Sequence, residues 1–578
     1  MAGPKRRSNE RSPSPTIREI DDRASDITET SQLLGSNGYG ARKGSWDNDI
    51  DFQHLPWWRR PSVFWLLGPY AVFTLAFGGI IVPKLNLILD LVCKQYFADQ
   101  QLVNPHFTYK PIVLGSDNPQ CNIPDVQSNV ATFMLTLNFV IGGLSAIVAP
   151  RLGHRSDRYG RRKLMALASC GGLISEIITI LCAKYPQTFN YRWMILGAVF
   201  DGATGSFTAG SILSQSYTSD CTPPSKRAVS IGYIHACLFT GLAIGPLMAG
   251  YFVKWTGSLV SIFYVALGCH AFFILFVRFV LPESLSKRRQ LLAREKLARA
   301  EQELTERSRS RLTHNPFETL KILWPTGPGT STRLRINLVA LATADTIIMG
   351  SMMAVGNVLM LYSELMFDWG NFETSRFISS LSMIRVVVLM VIFPIVNYIF
   401  RTRPAARRRR ESGIPHIEAN TGADTLDVWV LRFALLSDML GCVGYTLSQN
   451  QHLFFLSGMV TAIGGLGSAT VQAAVTKHVP HARVGQVLGA VGFMQAISRV
   501  VGPVMFNGLY AMTVGTFPQA IFVLLGGFFS IGLICALILK PHVYWEDLGE
   551  EEPLDETNGS FGASAAQLLS AGEESDFI

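Results

Sequence analysis

The side chains with the most chemical potential in this sequence are ionisable groups inside long apolar runs: Lys84, Glu176, Asp201, His235, His270, Asp345, Arg385, Asp438 and Arg499. A charge at the centre of a bilayer costs at least about 2.5–3.5 kcal/mol on insertion scales, so each group needs a partner, a wet cavity or a task. Carboxylates in that setting suit proton exchange. Burial disfavours their charged form and a neighbouring cation favours it, so an acid that gains and loses a cation can take up and release a proton on opposite sides. Arginine suits a carboxylate or phosphate on a bound solute, which its planar fork holds through two parallel hydrogen bonds. Carboxylates such as Asp201 and Asp345 can serve as proton carriers on this chemistry, and arginines such as Arg385 and Arg499 as counter-charges or solute ligands. Asn138, Asn357, Gln472 and Gln495 are placed to complete a polar site. For each charge the competing reading is a structural ion pair that fixes helix register. His235 can titrate near neutral pH, but its type and place fit a satisfied structural histidine better.

The elements that must position these groups are apolar runs long enough to span a bilayer, roughly 20 residues each. They are Phe64–Asp90, Ala131–Pro150, Leu164–Ala183, Met194–Gln215, Val229–Phe252 and Leu259–Leu281, then Leu338–Tyr362, Phe377–Phe400, Val428–Leu447, Leu453–Val475, Val484–Met512 and Ala520–Leu539. The expected fold is an all-α membrane protein of twelve transmembrane helices. Composition agrees: 48% of the 578 residues are hydrophobic and only 16% charged, against about 25% charged in soluble chains. Mean hydropathy is +0.27.

The net charge of +8 is distributed like membrane topology rather than like a nucleic-acid site, and no nucleic-acid partner is expected. Basic residues crowd the N-terminal tail, the loop Arg151 to Lys163, the central loop and the run Arg407–Arg410. Loops of the other parity hold few, such as Lys94, Lys110 and Lys254. This alternation puts both termini in the cytosol. The polar first 55 residues hold no apolar core of a cleavable signal. Cys93 and Cys121 share the first non-cytosolic loop, where a disulfide and two free thiols are both open. The other spans carry isolated cysteines, and no Cys/His spacing suits a metal; no cofactor is expected.

The chain divides into a disordered tail (1–56), a six-helix block (57–282), a charged cytosolic connector (283–336), a second six-helix block (337–540) and a disordered acidic tail (541–578). Trp57-Trp58-Arg59-Arg60 reads as an interfacial anchor, and Arg288–Arg307 as a helix on the cytosolic surface. The two blocks share a cue. Pro224-Ser225-Lys226-Arg227 precedes a run containing Gly245-Pro246, and Pro480-His481-Ala482-Arg483 precedes one containing Gly502-Pro503. Two pseudo-symmetric six-helix halves with a site between them follow.

The sharpest motif lies between the second and third runs: Gly153-His154-Arg155-Ser156-Asp157-Arg158-Tyr159-Gly160-Arg161-Arg162. The glycines permit a tight turn, and Asp157 among arginines is a charge latch able to sit at a neighbouring helix N-terminus, worth about 0.3–1 kcal/mol. The pattern G-x-x-x-D-R-x-G-R-R resembles the signature loop of the major facilitator superfamily. That resemblance implies a transporter in which this loop joins the cytosolic ends of the halves. Asp157 and Arg161 would pair with each other and with Asp220 at the end of the fourth helix, against the start of the eleventh near Val484. Arg158 and Arg162 would belong to the same latch. It also implies that helices 1, 4, 7 and 10 line the cavity, with 2, 5, 8 and 11 beside them. Asp201, Asp345, Arg385 and Arg499 then rank first, Lys84 next, and Glu176, His270 and Asp438 as supporting groups. Gly241-x-x-x-Gly245-Pro246-x-x-x-Gly250 is similar to the glycine–proline motif of drug–proton antiporters, although close helix packing explains it more simply. The sequence looks closest to the tetracycline-exporter and proton-coupled folate transporter branches.

The sequence contains no nucleotide-binding G-x-x-x-x-G-K-[ST], so a gradient is the expected energy source. Expected partners are a small organic solute, protons and the lipid bilayer, with the protein a monomer. Glu29-x-x-x-Leu33-Leu34 fits an acidic dileucine sorting signal, which leaves a vacuolar or lysosomal-type membrane and the plasma membrane as alternatives. A non-transporting receptor or scaffold on the same fold is the competing function. No catalytic cluster supports an enzyme.

Overall fold

The computed structural model describes Phe52 and residues 54–545, apart from 105–109, 113, 115–117, 122, 296–315, 328, 368, 370 and 413–419. The sorting signal at Glu29, the end of the Arg288–Arg307 segment, and the tails before residue 52 and after 545 lie outside these residues. Residues 287–295 are helical.

The first half consists of α1 (Val63–Val103), α2 (Pro124–Tyr159), α3 (Arg161–Lys184), α4 (Met194–Ala203 and Ser206–Asp220), α5 (Pro224–Thr256) and α6 (Val260–Phe279). In the second half α7 (Thr332–Phe367) is followed by α8. That helix starts as Asn371–Val387, passes through π-helical stretches at Val388–Ile392 and Tyr398–Thr402, and ends as Arg403–Ser412. Then come α9 (Thr425–Leu447), α10 (Gln451–Ile463 and Leu466–Lys477), α11 (Val484–Thr513) and α12 (Ala520–Ile538). Ten helices of the described residues are long and apolar enough to cross a membrane. The two remaining rods are α4, interrupted at Thr204-Gly205, and α9, which carries Asp427, Arg432 and Asp438. The twelve-helix, two-half architecture places α1–α6 and α7–α12 in matching order.

Local chemistry sets the ends. Ser62 caps α1 and Asn450 caps α10, and Asp424 and Asp427 form a capping box on α9. Gly257 ends α5 with φ +67°. Pro69, Pro83, Pro150, Pro246 and Pro503 stay inside helices, which packed neighbours in a bundle permit. Large apolar side chains such as Phe64, Leu275 and Ile534 stand exposed on the outer surface, as expected where lipid is the solvent. Trp57 and Trp58 are exposed beside α1, at the level of an interfacial anchor.

Glycine contacts draw helices together. At Gly245 of α5 a Cβ would sit 2.6 Å from the Gly79 nitrogen of α1, and Gly78 and Gly241 press on each other's helix backbones. The Gly241–Gly245–Pro246 motif is thus part of the α1–α5 seam, while Gly250 has open space around it. Gly502 is buried and Pro503 half-buried.

Several sequence expectations are corrected. Gly153 is not in the turn: α2 continues to Tyr159, and Gly153 lies against the Gly485 backbone of α11. The turn itself is at Gly160, with φ +91°. The connector ends earlier than residue 336, because α7 already starts at Thr332. The end of residues 541–545 is packed: Trp545 is buried, its backbone N–H donates to the His478 carbonyl, and Arg483 stacks 4.1 Å over its ring. The apolar and stacking area of one tryptophan outweighs the acidic composition that follows it. Cys93 and Cys121 are joined by a disulfide that ties α1 to the start of α2, with Cα atoms 5.6 Å apart.

Candidate functional site

A cavity lies between the halves, walled by Tyr70 of α1, Phe207, Thr208 and Ser211 of α4, Ile234, His235 and Leu238 of α5, Met349 and Met352 of α7, and Gln495 and Arg499 of α11. Its lining is mostly aromatic, aliphatic and thioether surface with few convergent polar groups, the usual make-up of a small-molecule site. Among the described residues Arg499 is the one cation in the lining. Its Nη1 donates to Thr208 Oγ1 at 2.8 Å and its guanidinium sits 5.9 Å above the Phe207 ring.

Asp345 lies behind this wall with no exposed surface. Its Oδ2 accepts from Gln495 Nε2 at 2.6 Å. The Gln472 amide of α10 approaches the same carboxyl, yet Oδ1 makes no close hydrogen bond. Gln472 Oε1 is 2.8 Å from His235 Nε2, and His235 Nδ1 is 3.0 Å from Ser468 Oγ. One polar chain therefore runs from Gln495 through Asp345, Gln472 and His235 to Ser468, crossing from the second half into α5 of the first.

Asp201 occupies a different setting at the break in α4. Its Oδ2 accepts from Ser206 Oγ at 2.8 Å, and Lys84, Arg499 and His270 act on it electrostatically. The break is built for this contact: Gly205 has φ +89° and Ser206 φ +52°, a left-handed pair that starts a new helix one turn after the acid. His270 pairs with Glu176 at 3.1 Å, linking α6 to α3 outside the cavity. Arg385 does not reach the cavity wall. It stacks 5.1 Å over Phe239 of α5 with Asp438 as its charge partner, and its Nε makes no hydrogen bond. Asp438 in turn lies against Gly464 at the break in α10, where a Cβ would overlap the carboxylate. Of the favoured residues, then, Arg499 lines the cavity, Asp345 meets it through Gln495, Asp201 lies in the field of Arg499 and Lys84, and Arg385 belongs to a separate pair. The side chain of Asn357 is outside the described residues.

The motif loop lies at the face where the basic loops gather. Arg161, fully buried, bridges Asp157 at 2.7 Å and Asp220 at 2.9 Å and also donates to Ser156 Oγ. Asp157 accepts from the backbone N–H groups of Gly485 (3.1 Å) and Gln486 (3.2 Å), the first turn of α11. A carboxylate there compensates orphan donors and the helix dipole together. Arg158 bonds His154, and Arg162 donates weakly to the Leu281 carbonyl at 3.4 Å.

Glu283 escaped the sequence reading. Its carboxylate accepts from the N–H groups of Arg161 (2.7 Å) and Arg162 (3.1 Å), capping α3 from beyond the end of α6. Burial pushes its carboxyl above the usual range against these bonds. A Pro-Glu-Ser triplet immediately after a span was the available signal. Also unassigned from sequence was a second buried cluster on the same face: Arg401 Nη2 lies 2.9 Å from Asp427 Oδ1 and 2.6 Å from Asp424, and Lys477 Nζ bonds Asp427 Oδ2.

Two six-helix halves around a central, mostly apolar cavity, with polar groups buried in the spans, define a membrane transporter class of protein. Residues 96–410 and 423–571 match the family model for the Major Facilitator Superfamily. The chain belongs to that superfamily of transporters. Among curated relatives, the MFS-type transporter avaJ of Aspergillus versicolor is 28% identical over 484 residues, covering 83% of this chain and 89% of that protein. The class C tetracycline resistance protein of Escherichia coli is 24% identical over 376 residues, 64% of this chain and 78% of that one. Among solved structures, the human organic anion transporter MFSD10 superposes with a TM-score of 0.59 at 15% identity, covering 83% of this chain and 100% of that chain. That likeness is one of fold.

Proposed function

We propose that this protein is a proton-coupled secondary transporter that carries a small organic solute by alternating access, with the solute in the cavity beside Arg499 and the coupling proton on Asp345. The observation that carries the reading is the Asp345 carboxyl: wholly buried at the junction of the halves, joined to the cavity wall through Gln495, with one oxygen left without a close partner. An intramembrane acid so placed marks a proton path. Solute entry displaces Gln495, and the change in bonding at Asp345 makes proton and solute occupancy interdependent.

Arg499 between Phe207 and Thr208 favours an amphipathic solute with an anionic group, its apolar body against Tyr70, Met349 and Met352. The relatives named as tetracycline resistance proteins support small organic cargo in general. The glycine–proline seam of α5, Lys84 beside Asp201 and the Asp157–Arg161–Asp220 cluster take supporting parts, in turn as packing, counter-charge and conformational latch. The termini face the cytosol on this reading, and Glu29, Leu33 and Leu34 form the sorting signal that decides between a vacuolar or lysosomal-type membrane and the plasma membrane. Replacing both leucines by alanine would move a fluorescent fusion between those two membranes.

Purified protein in sealed vesicles, given an imposed pH gradient and pools of organic anions and cations, tests the reading. Gradient-dependent flux lost in Asp345→Asn, with folding retained, supports it. Flux indifferent to the gradient makes the protein a uniporter. Binding without flux in every pool favours the receptor alternative.

A further inference from the structure

The two buried charge clusters on the basic face occupy equivalent places in the two halves, with every sign reversed. In the first half the members are Asp157 at the end of α2, Arg161 at the start of α3 and Asp220 at the end of α4, the cation bridging two anions. In the second they are Arg401 near the end of α8, Asp427 in the first turn of α9 and Lys477 at the end of α10, the anion bridging two cations. The half-to-half correspondence matches α2 with α8, α3 with α9 and α4 with α10. It also matches α11 with α5.

The first cluster reaches the other half through Asp157 to the first turn of α11. The second reaches back: Arg401 Nη1 donates to the Ser225 carbonyl, in the first turn of α5, at 2.6 Å. Each cluster thus has one member that crosses between halves and others that remain within its own half.

Burial separates these contacts from ordinary surface pairs. Lys477 is fully buried, and Asp427 and Arg401 have 3% and 8% of their side chains exposed, so solvent does not screen them as it does an exposed pair. Unlike Asp157, however, Arg401 gains nothing from the helix dipole. It approaches the positive end of α5, where Lys226 and Arg227 already stand. Asp424 and Asp427 supply the compensation instead, which explains why this cluster needs a second acid.

We propose that Arg401 is a second conformational latch of opposite polarity, which holds the basic ends of the halves together, and that Asp427 and Lys477 are its positioning residues. The inference rests on the alternating-access reading above. Opening of the basic face has to break the Arg401–Ser225 and Asp157–α11 bonds, while the Arg401–Asp427–Lys477 and Asp157–Arg161–Asp220 pairs within each half travel intact. Neutralising Arg401 removes the crossing bond together with its pairs to Asp427 and Asp424, while Asp427 and Lys477 stay paired.

Spin labels on cysteines replacing Arg155 of α2 and Arg403 of α8, both exposed, read the opening of this face by electron–electron distance measurement in full-length protein reconstituted in lipid. Asp157→Asn and Arg401→Gln should each raise the open-to-closed ratio by about tenfold, the size of one buried bond to a charged group. The double variant should combine the two, and unfolding midpoints should stay near the parent's. Should Arg401→Gln fail to fold, Asp427→Asn with Lys477→Gln, which keeps both shapes, must give the same shift for the inference to stand. An effect of Asp157→Asn alone overturns the second latch and leaves alternating access in place. One fixed distance in the parent and all variants, at every pH, overturns both.

Discussion

Asp201, half-buried, and Asp345, wholly buried, are both mid-span aspartates near the cavity, but their surroundings differ. Asp201 has a fixed donor in Ser206, and Lys84, Arg499 and His270 act on it electrostatically. Asp345 makes no ion pair among the described residues; it accepts one close bond from Gln495 and keeps one oxygen without such a bond. A carboxylate held by a fixed hydroxyl donor, within the field of Lys84 and Arg499, has less to gain from changing protonation with the transport cycle. An uncompensated one in a dry site is costly to ionise, and its cost changes whenever water, solute or a donor enters. The first setting suits a fixed structural charge and the second a carrier.

This contrast can be broken experimentally, and the largest effect is expected at Asp345. Asp345→Asn should reduce gradient-driven flux at least about tenfold, the equivalent of losing a charge-assisted bond from the coupled state; exchange of solute without a gradient should persist. If Asp201→Asn rather than Asp345→Asn uncouples transport, the roles are reversed. Arg499→Gln comes next. It should weaken binding of an anionic solute about tenfold, measured by titration calorimetry, and leave a neutral analogue almost unaffected. Asp201→Asn should cost about 1 kcal/mol of stability through its bond to Ser206, seen as a lower unfolding midpoint with the pH response of flux unchanged. The smallest change in flux is expected from Cys93→Ser with Cys121→Ser. The bridge closes a loop with a sequence separation of 28, so its removal lowers stability by up to about 3 kcal/mol, but it lies away from both acids and coupling should not respond.

Much of this arrangement is legible in the sequence because a bilayer demands long apolar runs, and because the α2–α3 junction packs its chemistry into ten consecutive residues. Asp157, Arg161 and the first turn of α11 could be named together through the family resemblance that this motif carries. The second cluster could not. Arg401 and Lys477 sit at span ends, where any basic residue satisfies the topology rule, so that rule absorbed them. Asp427 reads as part of an N-cap, and its cationic partners are 26 and 50 positions away. The cavity chain is harder still: His235 and Gln472 are 237 residues apart, and nothing local marks a histidine whose partner lies in the other half. The breaks in α4 and α10 were visible only as small residues. What interrupts α10 is a pair of glycines beside the Asp438 carboxylate, and that neighbour comes from a different helix.

The π-helical stretches of α8 have a consequence for insertions and deletions. Each such stretch accommodates a residue beyond what an α-helical path of the same length would hold. One residue fewer within Val388–Ile392 would turn everything after it by about 100° around the helix axis. Arg401, inside the second stretch, would then leave the Ser225 carbonyl and swing away from α5. The length of Val388–Ile392 therefore sets the angular position of a charge about three turns further on.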